Sequence, residues 1–471
     1  METTADIMLE EVVELFKPML RQPRYKQETL PPIRLGGGIN TFGSPFEISQ
    51  GEAIYSLNMS NKLFPSLSTR AGRALSGLTD ITTPNVIGQR ANANIHVQDG
   101  TVWKRWTTEW VNVQTELTSS KGKFLEFTTG TTKFTVLFNG TDRYSWDGTT
   151  AVSLTNAPLT NLITAHKGRL YAAKDNDVYF TALNLLNDWS TINEAGKLTI
   201  SRARSPITAI TVFNDFVTVL TGFSLHAIFG TGPHNYSIVD ISQEDGCIAD
   251  GSVIECSGVL YWLDNDYIKA YTGAQLPEKV SDKVDKYIRG INYSHKDKIV
   301  SGKSGKYVYW SIPYGSTENN MLLEYDTKLR TWFTHSGNFV GFTNIGKDLY
   351  GVTADGKILI INSGAKDVLD NIAFEHITGP WLFETLKQKT LSDLWLSVEI
   401  PQGSTLSVSS SESIDGDDFV LLKSFSSGEQ NTRVQLPTDK LQRANWFRLK
   451  FAGTGPCVIH FIEPRLRIKG R

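Results

Sequence analysis

The segment from about residue 85 to residue 365 repeats one short pattern, which limits the possible folds more than any other feature of the chain. Each unit has an apolar strand, a polar turn and a second strand rich in aromatic residues. The units begin at His96, Thr135, Lys167, Asn214, Ser257, Gly305 and Lys347. The later units recur roughly every 43–47 residues, close to the ~40–50 residues of a four-stranded propeller blade. Because one blade cannot bury both of its faces alone, such blades stack around an axis. The pattern therefore predicts an all-β chain with a β-propeller of about six or seven blades.

A pair of β-sandwiches is the competing interpretation, because short, evenly spaced strands are typical of that fold too. The pattern changes after about residue 370, where Leu394, Leu396 and Val398 recur at every second position, as in a strand. We expect a small C-terminal β-sandwich there. The predicted organisation is an N-terminal helix and extended arm over 1–35, lead-in strands over 36–84, the propeller over 85–370 and the sandwich over 371–471.

The N-terminus predicts an amphipathic helix over residues 5–20, followed by an extended arm over 21–35 that contains Pro31 and Pro32. Such a helix is expected to dock either on its own domain or on a neighbouring subunit, and the sequence leaves both open. The residues predicted to dock between subunits are Met8, Val12, Leu15, Phe16 and Met19. The segment lacks the features of a secretory signal, and no apolar run reaches the ~18 residues that span a bilayer. We therefore expect a soluble chain, made in a cytoplasm, with no membrane insertion.

The charge balance argues against a dedicated nucleic-acid-binding protein. Lys and Arg number 47 against 49 Asp and Glu, which gives a formal net charge of −2. Nucleic-acid-binding proteins usually carry a basic excess, so only a local basic patch remains open. The cysteines are Cys247, Cys256 and Cys457, an odd and sparse set that predicts buried thiols instead of a disulfide framework or a metal cluster. No cofactor is expected.

Motifs for catalysis are weak throughout the sequence. There is no G-x-S-x-G elbow, and the eight histidines never pair at a metal-ligand spacing. His460 lies in an apolar strand and is expected to be a core residue. The glycines at 36–38 lack the context of a phosphate loop. The segment 413–419 resembles a sialidase Asp-box only faintly, and the acidic groups at 264–266 and 415–418 are better explained as turns than as cation sites. The sequence therefore predicts no enzyme.

Basic residues alternate along the last two predicted strands. They are Arg448 and Lys450 on one strand and Arg465, Arg467, Lys469 and Arg471 at the C-terminus. Alternate residues of a strand point to one face, so each set forms a charged row. Two interpretations stay open: a solvated strand face, or contact with a polyanion or with an acidic partner surface.

Two stretches of the chain resemble tail proteins of tailed bacteriophages. The first runs from Gly38 to Gly72 and carries an Asn-Met pair at 58–59, a proline at 65 and an Arg-x-Gly at 70–72. The second stretch carries Trp310-Ser311-Ile312-Pro313, Leu323-Glu324-Tyr325-Asp326 and Arg330-Thr331-Trp332. With the length and the basic final strand, they are similar to the tail nozzle, or packaged-DNA stabilisation protein, of short-tailed phages. The helix and arm at 1–35 depart from that pattern.

This resemblance implies a structural protein of the virion tail, assembled in the host cytoplasm, and no catalysis. Copies of the chain would form a ring, expected to be hexameric, below the portal and adaptor proteins. The ring would close the DNA channel to retain the packaged genome and would conduct it on ejection. The implied partners are other copies of the chain, portal and adaptor proteins, tail fibre or needle proteins, and viral DNA in transient contact. A near-neutral subunit suits a channel that must not hold DNA tightly, because phosphate contacts create affinity.

Two rival functions stay open because a fold alone does not decide function. One is a receptor- or glycan-binding propeller at the tail tip. The other is an enzyme such as a glycosidase, which would need two carboxylates about 5–9 Å apart.

Overall fold

The computed structural model describes residues 25–90, 94–413, 418–426, 430–439 and 441–469. The predicted helix over 5–20 and its five docking residues lie outside this part of the chain, as does Arg471. Five short strands come first: β1 (Tyr25–Thr29), β2 (Ala53–Leu57), β3 (Met59–Ser60), β4 (Leu67–Thr69) and β5 (Arg73–Leu75).

Seven four-stranded antiparallel units follow, and they form the blades of a propeller. Blade 1 contains β6 (Pro84–Arg90), β7 (Asn94–Asp99), β8 (Val102–Trp106) and β9 (Trp110–Gln114), and blade 2 contains β10 (Lys123–Thr129), β11 (Thr132–Phe138), β12 (Arg143–Trp146) and β13 (Ala151–Ser153). Blade 3 contains β14 (Ile163–His166), β15 (Arg169–Lys174), β16 (Asp177–Phe180) and β17 (Gly196–Thr199), and blade 4 contains β18 (Ile207–Phe213), β19 (Phe216–Thr221), β20 (Leu225–Phe229) and β21 (Ser237–Ser242). Blade 5 contains β22 (Ile254–Cys256), β23 (Val259–Leu263), β24 (Ile268–Tyr271) and β25 (Glu278–Lys279), and blade 6 contains β26 (Val300–Ser304), β27 (Tyr307–Ile312), β28 (Met321–Asp326) and β29 (Thr331–Ser336).

Blade 7 combines two distant parts of the chain. It contains β30 (Phe339–Ile345), β31 (Asp348–Thr353) and β32 (Ile358–Ile361), and its fourth strand is β5 from the N-terminal side. In this pair Leu359 lies opposite Leu75, and Ile361 lies opposite Arg73. The all-β propeller class is confirmed, and the number of blades is seven. Each repeat unit of the sequence supplies the second and third strands of one blade.

Tight turns explain why the repeat is visible in the sequence. The first hairpins of blades 3, 4 and 5 are closed by two-residue loops in which both residues have positive φ: Lys167-Gly168, Asn214-Asp215 and Ser257-Gly258. Loops of this kind match the right-handed twist of the strands that they join. Each of these hairpins therefore reverses the chain within two residues. The pattern of strand, turn and strand then recurs from blade to blade.

The first strand of each blade lies nearest the propeller axis, and neighbouring first strands approach closely. Gly88 on β6 faces Phe124 on β10, where an added Cβ would lie 2.4 Å from the Phe124 Cβ. Gly302 on β26 faces Phe342 on β30 in the same way, at 2.8 Å from the ring. β30 also contacts β6, which closes the ring between the last blade and the first. Small residues are required here because the blades converge at the axis.

A β-sandwich follows the propeller. Its strands are β33 (Ala373–Thr378), β34 (Lys389–Glu399), β35 (Thr405–Ser411), β36 (Val420–Phe425), β37 (Gln430–Leu436), β38 (Arg448–Thr454) and β39 (Val458–Lys469). One sheet has the order β3-β4-β39-β34-β37, with β1 paired to the far end of β39. The second sheet contains β2-β33-β38-β35-β36. Leu396, Val408, Phe451 and Ile462 lie in the core between the sheets.

The sandwich and the propeller share one sheet. β2 pairs in parallel with β29, the outer strand of blade 6, so the two units form a continuous nine-stranded sheet. The sequence treats residues 36–84 as a separate lead-in, whereas the structure divides them: β2, β3 and β4 belong to the sandwich and β5 belongs to blade 7. Part of the predicted arm also belongs to the sandwich, because β1 pairs with β39 of the same chain. These pairings join residues far apart in the chain, so local patterning carries no sign of them.

Helical structure is sparse among the described residues. It comprises α1 (Asp285–Arg289) and the 3-10 turns Asp250–Ser252, Asp282–Val284 and Tyr293–Lys298. Within this part of the chain, no helix is long and apolar enough to cross a bilayer.

Candidate functional site

The propeller has a central cavity of about 1090 Å³ that is open to solvent and is lined mainly by the first strands of the blades and the turns beside them. A first strand has a blade neighbour on one edge only, so backbone polar groups on its other edge face the axis. Charged side chains also line the cavity. The cations are Lys121, Lys123, Lys133 and Lys296, and the carboxylates are Glu126, Asp250 and Asp297.

Two lysines of blade 2 cross this cavity. Lys123 donates to Asp250 at 3.0 Å, and to the carbonyl oxygen of Ile210 in blade 4 at 3.3 Å. Lys121 donates to the carbonyl oxygens of Asp297 and Ile299, just before blade 6. The axis is therefore spanned by single side chains. A nucleic-acid duplex could not pass through the centre of one propeller.

The two lysines differ in the charge of their partners. Lys123 lies against a carboxylate, whereas both acceptors of Lys121 are uncharged. Burial lowers the pKa of Lys121 to about 8, although the charges of Asp250 and Asp297 act against that shift.

Blade 4 contains a hydrogen-bonded Ser–His–Asp arrangement. Ser224 Oγ lies 2.7 Å from His226 Nε2, and His226 Nδ1 lies 2.8 Å from Asp240 Oδ1. The strands explain this geometry: Ser224 and His226 are two residues apart, and Asp240 is the register partner of His226 on β21. However, Ser224 and His226 are both fully buried, and Thr221 also bonds to Ser224. A nucleophile without access to solvent has no path to a substrate, so these contacts act within the blade.

A second polar cluster is buried where blade 6, blade 7 and the sandwich meet. We call it the junction cluster; its members are Asn58, Ser60, Lys62, Arg70, Arg73, Tyr309, Glu324, His335, Asn362 and Asp367. Glu324 is 1% exposed and accepts hydrogen bonds from Ser60 at 2.7 Å and Tyr309 at 2.9 Å. Lys62 Nζ lies 3.8 Å from the same carboxylate and donates to Asn362.

Electrostatics in the junction cluster favour a charged Glu324 and a neutral His335. Burial alone would raise the pKa of Glu324, but the Lys62 charge and the surrounding hydrogen bonds hold it below its ordinary value. His335 Nε2 lies 3.3 Å from Glu324, and burial lowers the pKa of this histidine to about 4.

Arg70 forms the other half of the junction cluster. Its guanidinium donates two hydrogen bonds to the Asp367 carboxylate, at 2.9 and 2.5 Å, and its Nε donates to Asn58 Oδ1 at 2.9 Å. Asn58 has a positive φ of 58° and donates to the carbonyl oxygen of Ala373, the first residue of β33. Arg73 donates to the carbonyl oxygen of Ser336, at the end of blade 6. One buried network therefore connects three structural units.

The structure does not bring together the five predicted contact residues that it describes. Arg448 and Lys450 lie on β38 in one sheet of the sandwich, whereas Arg465 and Arg467 lie on β39 in the other. Arg448 is 4% exposed and lies against the Phe419 ring, so its guanidinium is not a surface contact. Lys450 is paired with Glu375 at 3.1 Å.

The C-terminal row is partly neutralised. Arg465 and Arg467 point outward between buried neighbours, as the alternation predicts. Arg465 Nη1 lies 3.5 Å from Asp393. Lys469 is the register partner of Tyr25, and Arg471 lies outside the described residues. Among the side chains of this row that the structure describes, Arg467 is the exposed one.

Two other sequence expectations have clear outcomes. All three cysteines are buried, as predicted. His460 is not a core residue: its side chain is 34% exposed and lies 3.1 Å from both Ser66 and Glu399. The reason is a bulge in β39, which adds one residue between the partners of Ser397 and Val398 and turns the side chain outward. Among the described residues, no group of three or more His, Cys, Asp or Glu side chains could hold a metal ion.

Sequence reasoning missed the cavity lysines, the Ser–His–Asp arrangement and the junction cluster. The spacing of Ser224, which directly precedes β20, and His226 on β20 was a visible signal, since residues two apart in extended chain share a face. Lys121 and Asp297 carry no such signal, because only closure of the ring places them side by side.

These sheets define the chain as a seven-bladed β-propeller protein with a fused β-sandwich. No protein-family model and no curated protein sequence matches it. Among solved structures it is similar to virginiamycin B lyase from Staphylococcus aureus, at 9% identity and a TM-score of 0.42, over 60% of this chain and 97% of that one. It is also similar to BamB from Moraxella catarrhalis, at 10% identity and a TM-score of 0.42, over 71% and 97% of the two chains. A third similar structure is the extracellular domain of the putative hybrid two component system BT3049 from B. thetaiotaomicron, at 10% identity and a TM-score of 0.44, over 83% and 58%.

Proposed function

We propose that this chain is a structural protein of a bacteriophage tail, acting as the nozzle subunit whose ring closes the DNA channel and conducts the genome on ejection. One observation carries the proposal. The two stretches that resemble nozzle proteins lie far apart in the sequence but meet at the junction cluster. Ser60 donates to Glu324 within the cluster, and Asn61 donates to Thr331 beside it, each at 2.7 Å. The resembling residues thus join the propeller to the sandwich.

A rigid joint of this kind suits the wall of a channel that retains DNA under pressure. The shared sheet and the partly buried Arg70–Asp367 pair both oppose bending between the two units. Because Lys121 and Lys123 cross the propeller axis, the DNA path in this proposal runs between copies of the chain. A ring of identical subunits with head-to-tail contacts supplies such a path.

The proposal is tested by native mass spectrometry and negative-stain imaging of the full chain. We expect closed rings, with six copies as in the family that the sequence resembles. A variant lacking residues 1–24 keeps every described strand, and it should fold as a monomer that no longer forms rings if the predicted helix docks on a neighbour. A full chain that stays monomeric at all concentrations, and does not join particles lacking it, would contradict the nozzle function.

A second candidate is a receptor- or glycan-binding propeller at the tail tip. The observation in its favour is an aromatic pair on blade 1: Trp106 and Trp110 are half-buried, and their ring centroids lie 5.0 Å apart. Tryptophan rings present large apolar faces to a ligand. Binding of the full chain to immobilised host glycans, abolished by Trp106→Ala but not by Trp395→Ala on the sandwich, would favour this candidate over the nozzle.

A further inference from the structure

A lysine, an asparagine and a carboxylate meet in the junction cluster. Lys62 Nζ donates to Asn362 Oδ1, although 300 positions separate the two residues in the chain. The Glu324 carboxylate lies 3.8 Å from the same Nζ. An amine is a nucleophile and a side-chain amide carbon is an electrophile, while a carboxylate can carry protons between them. The three groups therefore form the set that an exchange of amide nitrogens requires.

The fold holds the lysine and the asparagine in place. Lys62 lies in the loop between β3 and β4, which pair with each other. Asn362 directly follows β32 of blade 7, and the next residue, Ser363, donates its backbone N–H to the carbonyl oxygen of Gly72. Groups that are held in contact react far faster than free ones, because folding has already restricted their relative motion.

A hydrogen-bonded path connects the amide nitrogen of Asn362 to the carboxylate. Asn362 Nδ2 donates to the Tyr309 hydroxyl at 2.9 Å, and this hydroxyl donates to Glu324 Oε2 at 2.9 Å. Tyr309 and Glu324 are each 1% exposed, so the path is shielded from bulk water. Protons can move along such a path between the carboxyl group and the amide nitrogen.

The lysine must lose its proton before it can attack, because a protonated amine has no lone pair. Burial lowers the pKa of Lys62, and the Arg70 charge acts in the same direction, while the Glu324 charge opposes both. Transfer of one proton from Lys62 to Glu324 turns two charges into two neutral groups, which a desolvated site favours. The Tyr307 ring, whose centroid lies 5.3 Å from Nζ, adds an aromatic wall on one side.

We propose that Lys62 and Asn362 join in an intramolecular isopeptide bond, which the folded chain forms by itself with Glu324 as the proton carrier. Glu324 takes a proton from Lys62, and the neutral Nζ attacks Cγ of Asn362, so that a C–N bond forms. Glu324 then gives a proton to Nδ2 through the Tyr309 hydroxyl and takes the second proton from Nζ. The Cγ–Nδ2 bond breaks, and ammonia leaves.

The reaction balances without a further reagent. A lysine ammonium group and an amide become a secondary amide and an ammonium ion, and no oxidant or reductant is needed. Glu324 ends as a carboxylate, which still accepts hydrogen bonds from Ser60 and Tyr309. The bond would fasten the loop between β3 and β4 of the sandwich to blade 7, and it does not depend on the proposed tail function.

The experiment measures the intact mass of the purified, denatured full chain and then maps its tryptic peptides. We expect the chain to be lighter than its sequence by the mass of one ammonia molecule. Trypsin does not cleave after an acylated lysine, so one branched peptide should join residues 35–70 to residues 358–366. On a denaturing gel the chain should also migrate differently from Lys62→Arg, because the bond closes a loop across 300 positions.

Four variants assign the roles. Lys62→Arg and Asn362→Ala each remove one partner, and Glu324→Gln removes the proton carrier, so all three should have the full sequence mass. Lys306→Arg is the matched control: Lys306 Nζ lies 5.0 Å from the same Tyr307 ring but pairs with Asp326 at 2.6 Å, and this variant should still lose ammonia.

Two results for the wild type would overturn the proposal, whether or not a variant folds. One is a chain with its full sequence mass, and the other is a loss of ammonia that maps to a different asparagine. A branched peptide that persists in Glu324→Gln would overturn the role of Glu324.

Discussion

Replacing Arg70 by methionine should destabilise the joint between the propeller and the sandwich. Arg70 is 5% exposed and makes four hydrogen bonds: two to Asp367, one to Asn58 and one to the carbonyl oxygen of Ala71 at 3.0 Å. Methionine has similar length but no donor. The substitution removes one hydrogen-bond donor from Asn58 Oδ1. It also removes the guanidinium that donates two hydrogen bonds to the Asp367 carboxylate.

The size of the effect follows from burial. Removing one partner of a buried ion pair costs about 3–5 kcal/mol, because the other charge is left uncompensated. Asp367 keeps 31% of its side chain exposed and lies 3.8 Å from Arg73, so the lower end of that range, about 3 kcal/mol, applies. Unfolding entropy is about 2.1 cal/mol/K per residue, which for 471 residues is about 1 kcal/mol/K. If the whole chain unfolds in one cooperative transition, Arg70→Met should therefore lower Tm by about 3 °C.

The assay is differential scanning calorimetry of the wild type, Arg70→Met and a control in the connection between blades 3 and 4. Arg202 offers that control: its side chain is 78% exposed and makes one contact of 3.3 Å with Asp240. Exposed pairs contribute little, so Arg202→Met should change Tm by less than about 0.5 °C. Equal, small shifts for both variants would refute the inference that the junction cluster stabilises the fold. Arg70→Lys, which keeps the charge but loses the forked geometry, should fall between them.

Three further outcomes are expected. The pKa of Glu324 is held below its ordinary value, so the stability that this carboxylate contributes is present above its unfolded pKa of about 4.3 and is lost as pH falls towards the folded value. The Tm difference between wild type and Glu324→Gln should therefore shrink as pH falls from about 6 to about 3.5. A constant Tm difference would count against a charged Glu324. Gly72→Ala should lower stability by about 1–3 kcal/mol, because its Cβ would lie 2.1 Å from the Lys366 carbonyl oxygen, whereas Gly232→Ala, with its nearest neighbour at 3.4 Å, should be close to neutral by chemical denaturation. A fluorophosphonate probe should leave buried Ser224 unlabelled in the folded chain, and labelling that disappears in Ser224→Ala would instead reveal access to the Ser–His–Asp arrangement.

The propeller could be predicted because its information is local. The register pairs Phe213–Phe216 and Cys256–Val259 flank two-residue turns. Each hairpin is therefore specified by a short stretch of sequence. Alternation along β39 was visible for the same reason, and Arg465 and Arg467 do point outward. The bulge at His460 was not visible, because it depends on how β39 is held by β34.

The candidate sites could not be predicted because their members are distant in the chain. Asn58 contacts Ser336 across 278 positions, and Lys121 reaches the carbonyl oxygen of Ile299 across 178. The local sequence around each of these residues shows no pattern that predicts these contacts. A lysine beside a glycine in a polar stretch predicts a solvated side chain, and only the closed ring brings Lys121 to the carbonyl oxygens of Asp297 and Ile299.

The sequence by itself determined the class of fold, because strand period and turn type act over a few residues and are set by local sterics. The tertiary structure alone decided that blade 7 is completed by β5, that β1 to β4 belong to the sandwich, and that two lysines share a cavity with unlike partners. Those outcomes depend on burial and charge compensation between distant segments. Desolvation is a property of the assembled core, so the charged, hydrogen-bonded Glu324 is buried beside Lys62 only once the chain has closed around it.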